Sequence, residues 1–151
     1  MAAWVDLAAA FVLGWVVFVN IRHGSIKNVS VYALIGLFVL KLIIAPAAVP
    51  IWITLLGAAI VFAAALALFA LGTFPAGGAK LAPAAALFLP FEWWLLLLAV
   101  FIASVFVFSF LAAMIYKLFR NDESRWAILR KRYLPVAVPI ALTTWIGMFA
   151  L

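Results

Sequence analysis

The chain has 151 residues, of which 72% are hydrophobic and 9% charged, far too apolar for a water-soluble domain and long enough for at most about seven bilayer spans of roughly 20 residues. Ten Lys and Arg outweigh four Asp and Glu, an excess that in so apolar a chain reports membrane orientation rather than nucleic-acid binding. Without cysteine and with a single histidine, the sequence excludes disulfides, thiolate chemistry and iron–sulfur clusters and offers no ligand set for zinc.

The pattern predicts an all-α, polytopic membrane protein: one transmembrane domain over residues 1–151 with about six spans. The first span, 4–20, lacks a basic leader, carries Asp6, and runs into Arg22, His23 and Lys27. That order reads as a retained span starting outside, not as a cleaved signal peptide. The second span, 29–45, carries Lys41 near its far end, where the stem snorkels to the outer headgroups. Pro46 and Pro50 then bracket a turn, since proline removes donors that a helix interior needs.

The third span, 51–71, sets Ala59, Ala63 and Ala67 four apart on one face, a spacing that lets another helix approach closely. Gly72 to Pro90 carries three prolines and three glycines. It reads as an irregular loop over Gly72 to Gly78, with Gly72, Gly77 and Gly78 chosen for backbone freedom, then a short or tilted fourth span over 79–91. Glu92, Trp93 and Trp94 mark the outer interface, with indole rings at the headgroup level, before the fifth span, 94–116.

The link KLFRNDESRWAILRKRYLP holds six of the ten basic residues and belongs inside. Asn121 or Asp122 is expected to cap a short interfacial helix whose Trp126, Leu129 and Tyr133 face apolar surroundings while Arg125 and the RKR group reach headgroups or solvent. The sixth span is 134–151. Six spans put both termini outside, and place Arg22, Lys27, Lys80, Lys117, Arg120, Arg125, Arg130, Lys131 and Arg132 inside against Lys41 alone outside.

Candidate chemistry is sparse. All four acids fall at span ends or in loops, where a proton or ion pathway would need them within spans. His23, the lone histidine, is a polar residue of a turn without a nucleophile and orienting acid around it. AGGAK is not a phosphate loop, because GxxxxGK followed by Ser or Thr is absent. The hydroxyls of Ser104, Ser109, Thr143 and Thr144 are expected to bond their own helix backbone.

The order of the loops resembles that of the type IV prepilin peptidases, in the short six-span form of Flp, or tight-adherence, pilus systems. In that family the first span is followed by a stretch like DxRxRRIPN, matched here by Asn20 to Asn28. A later loop reads GxGDxKL, matched by Pro75 to Leu81, and APAAALFLP and LPVAVPIAL resemble the stretches that follow. The resemblance implies a compact six-helix core with a cytoplasmic cleft near Arg22, Lys27, Gly77 and Lys80. Family members are aspartic endopeptidases that use one aspartate from each motif, and Asn20 and Gly78 stand at those positions. A dyad works through two carboxylates sharing a proton, so neither residue replaces its counterpart.

The expected function is that of a catalytically inactive relative that binds a membrane helix, as an accessory subunit of a membrane assembly. A prepilin leader endopeptidase, engineered-inactive or of atypical activity, and a structural subunit of an energy-transducing or secretion complex remain as alternatives. Partners would be an integral membrane protein or pilin-like transmembrane segment, with lipid headgroups at the basic loops and no nucleic acid. No cofactor or metal is implied, and the expected location is the bacterial inner membrane.

Overall fold

The computed structural model describes residues 3–45, 50–121, 123–130 and 135–150. Its order is α1 (Ala3–His23), α2 (Asn28–Ile44), α3 (Ile51–Ala70), α4 (Ala76–Ala86), a 3-10 turn (Phe91–Trp93), α5 (Trp94–Phe119), a one-turn α6 (Ala127–Arg130) and α7 (Ala137–Phe149). No strand occurs among the described residues. Among the described residues, three helical stretches are long and apolar enough to cross a membrane: Ala3–His23, Ile51–Ala70 and Phe91–Phe119. The 11 residues of α4 and 13 of α7 rise only about 16 and 20 Å, less than a hydrocarbon core.

The core is built by α1, α2, α4 and α7. Leu13 and Val16 of α1, Leu34 and Phe38 of α2, Leu81 of α4 and Ile140 of α7 interlock there with small alanines. The shortest of these helices is the most enclosed. Gly78, Ala79, Leu81, Ala84, Ala85 and Ala86 of α4 are all buried, because side chains this small let neighbouring backbones close in. Outside the core, α3 packs on α4 and α5 packs on α7, and both keep most of their apolar surface outward.

The helix ends follow local chemistry. Gly72, with φ of 72°, closes α3 in a Schellman motif: Thr73 N–H donates to Leu68 O and Gly72 N–H to Phe69 O. Gly24, with φ of 70°, likewise ends α1, its N–H donating to Asn20 O at 2.7 Å. Pro75 presents its carbonyl to Ala79 N–H at 3.1 Å, so α4 starts at Ala76 and not at the expected 79. Gly77 and Gly78 are consequently helical residues, and their lack of a side chain serves close packing, not loop freedom.

Three further expectations are corrected. The Trp94 indole turns inward against α3, and its Nε1 is buried, so of the two interfacial tryptophans only Trp93 is exposed. Lys41, expected to reach headgroups alone, has a protein partner: its Nζ pairs with Asp6 Oδ1 at 2.7 Å, closing the α1–α2 hairpin. In the link before α7, Asn121 Oδ1 accepts from Glu123 N–H in an Asx turn, and Ser124 Oγ accepts from Trp126 N–H one residue before α6. Trp126 meets the Phe18 ring edge-on, seating this link on α1. Pro46, Asp122 and residues 131–134, with Tyr133 and part of the RKR group, lie outside the described residues.

Candidate functional site

One end of the bundle gathers the C-terminus of α1 and the N-termini of α2, α4 and α7. Asn20, buried in the last turn of α1, accepts through Oδ1 the backbone N–H of Ala137 at 3.4 Å. Gly78 lies against the preceding residue: a β-carbon there would sit 2.9 Å from Val136 Cγ2 and 2.8 Å from Phe74 Cε1. Two positions 58 apart in the chain thus converge on one dipeptide, Val136–Ala137, at the start of α7.

The chemistry of this meeting point is neutral. Asn20 carries an amide that does not titrate, and Gly78 has no side chain. Phe74 and Val136 fill the volume that a side chain at Gly78 would need. Among the described residues the acids lie elsewhere: Asp6 is held by Lys41 beyond the far side of the core, Glu92 belongs to the 3-10 turn, and Glu123 is exposed in the link. Among the described residues no group of three or more His, Asp or Glu could hold a metal ion.

The segments that carry Arg22, in the last turn of α1, Lys27, before α2, and Gly77 and Lys80, in the first turns of α4, meet at this end of the bundle. Gly77 packs on Ile26, whose Cβ would stand 3.0 Å from an added β-carbon. Lys80 Nζ donates to Asn28 Oδ1 at 3.3 Å, and Lys27 is exposed at the start of α2. Ala59, Ala63 and Ala67 face outward along α3, while the packed face of that helix is Gly57, Ala58 and Ala65.

A larger feature lies between α3 and α5, where an apolar groove of 400 Å³ is floored by α4 and α7. Ala64 and Leu68 form one wall, Leu98 and Phe101 the other, and Ala82 and Ala86 part of the floor. Its hydroxyls are spent on their own helix: Thr143 Oγ1 donates to Pro139 O and Thr144 Oγ1 to Ile140 O, each at 2.8 Å. Sequence reading missed this groove, because nothing in the local pattern says that α3 and α5 flank one another. It also missed Phe74 and Val136; the only signal was that each adjoins a proline, Pro75 and Pro135, where the chain enters a helix.

Comparison of the chain with protein-family models, with curated proteins and with solved structures gives no match. The likeness in loop order therefore rests on the chain's own residues.

Proposed function

We propose that this protein is a catalytically inactive, prepilin-peptidase-like membrane protein that binds a transmembrane helix as an accessory subunit of a membrane assembly. In this reading α1 to α5 and α7 provide six membrane elements, with α4 and α7 short and shielded by the others, and the basic loops face the cytoplasm of a bacterial inner membrane. The observation that carries it is the apolar groove between α3 and α5. In a bilayer such a groove gains no hydrophobic driving force over lipid, so a partner is held by close packing, which small residues such as Ala64 and Ala82 favour. The neutral pairing of Asn20 with the start of α7 supports binding without cleavage.

The test is reconstitution of the full chain with a synthetic pilin-like single-span peptide that carries a basic leader. A stable complex with intact peptide is expected, and Ala64→Leu with Ala82→Leu, which fill the groove, should abolish it. Leucine at Ala59, Ala63 and Ala67 tests the outward face in the same assay. Cleavage of the peptide would establish an enzyme, and absence of a complex would favour a structural subunit with a different partner.

A further inference from the structure

A second groove opens between α2 and α3, again floored by α4, with a volume of 240 Å³; its lining residues are Asn28, Val31, Tyr32, Phe62, Lys80 and Pro83. The helices α2 and α4 run parallel and start at the same end, as the Lys80–Asn28 hydrogen bond and the Phe38–Phe88 ring contact show. Their residues therefore mark depth on a common scale. Lys80 and Asn28 stand at the helix-start level; Val31, Tyr32 and Pro83 come one turn further in; and Phe62 lies well inside α3 rather than at its end. Polarity thus falls along the groove, from an ammonium and an amide at its mouth to aromatic and aliphatic walls deeper in.

The charge at the mouth is uncompensated. Among the described residues no carboxylate pairs with Lys80, whose partner Asn28 is a neutral amide. Asp6 is engaged by Lys41 at the opposite end of the hairpin. Lys27, beside Asn28 in sequence, adds positive charge. A cationic, amide-bearing mouth leading to apolar walls matches a molecule with an anionic head and an apolar chain.

We propose that this groove binds one anionic phospholipid, its phosphate on the Lys80 ammonium and an acyl chain along Pro83 and Phe62. The proposal rests on the chain being a membrane protein but not on its binding a partner helix. A charge-assisted contact between ammonium and phosphate gives the headgroup preference, and the apolar walls give the requirement for an attached chain.

Native mass spectrometry of the full chain in detergent, titrated with dioleoyl phosphatidylglycerol or dioleoyl phosphatidylcholine, tests it. The first phosphatidylglycerol should bind about tenfold more tightly than phosphatidylcholine. Lys80→Gln should erase that preference, Lys80→Arg should keep it, and Lys117→Gln, at the end of α5, should leave it intact. Equal binding of the two lipids, or equal losses in K80Q and K117Q, would overturn the site in favour of diffuse surface charge. Displacement of the lipid by millimolar inorganic phosphate would overturn it in favour of a free-anion site. Recovery of the chain from cells as a soluble protein without detergent would overturn the membrane reading itself, a result distinct from either of these.

Discussion

The Asn20 side chain accepts the backbone N–H of Ala137 at 3.4 Å, which ties the last turn of α1 to the first residue of α7. No side chain of α7's own N-cap residue, Val136, performs this task. Asn20 thus gives the start of α7 a capping acceptor supplied from a different helix.

Replacing Asn20 by Ala leaves a buried donor without this acceptor and should lower stability by about 1–2 kcal/mol. Asn20→Asp keeps an acceptor oxygen for this N–H at the N-terminus of α7, where an acid is favoured, against the cost of burying a carboxyl group in the last turn of α1. Thermal unfolding of the two variants in one detergent should place N20D above N20A. Equal midpoints would show that the hydrogen bond contributes nothing.

Gly78 gives a sharper expectation. A methyl group there collides with Phe74 and Val136, so Gly78→Ala should cost about 1–3 kcal/mol, and Gly78→Asp more, since it adds a carboxyl group to the same apolar surroundings. Trimming Val136 to Ala should recover part of the loss in G78A. The pair N20D/G78D should cleave no basic-leader peptide while Phe74 and Val136 remain, because the second carboxyl has no room beside α7. Cleavage by that double variant would show that the groups rearrange more readily than their packing implies.

Between α3 and α5, Trp94 lies directly on Gly57, and an added β-carbon on Gly57 would overlap the edge of its six-membered ring. Gly57→Ala should displace that ring and destabilise the α3–α5 junction by about 1–3 kcal/mol. The cost should be smaller when Trp94 is already Leu, which makes the two changes non-additive. An additive double variant, measured by the same unfolding assay, would mean that the ring moves aside freely.

Much of the helix order was legible in the sequence, because a bilayer-length apolar run between charged or proline-bearing ends is a strong signal. Ile51–Ala70 and the long stretch ending at Phe119 are of that kind. The middle of the fold was not. Residues 72–90 look like the most irregular region, since proline and glycine weaken a helix by propensity, yet tertiary packing makes α4 the floor of both grooves. Gly77 and Gly78 show why: their value lies in contacts with Ile26, Phe74 and Val136, which are set by neighbours remote in sequence or by the turn before the helix. The two positions singled out by family resemblance, Asn20 and Gly78, do approach a common dipeptide, whereas the alanine stripe at 59, 63 and 67 points away from the rest of the chain.

The Asp6–Lys41 pair offers a test of the α1–α2 hairpin. Its side chains are 18% and 30% exposed, and the Lys41 ammonium also stands 5.7 Å from the centre of the Phe88 ring. A pair so placed is worth more than a fully exposed one but less than a buried one, because solvent still reaches both groups. Asp6→Asn leaves Lys41 cationic beside apolar helices, and Lys41→Met leaves Asp6 anionic, so each single change should cost about 1–2 kcal/mol. The double variant removes both charges and should be more stable than the sum of the two losses implies. Unfolding midpoints of the four proteins at one ionic strength give the coupling directly. Strict additivity would mean that the 2.7 Å contact holds the hairpin no better than water and headgroups do.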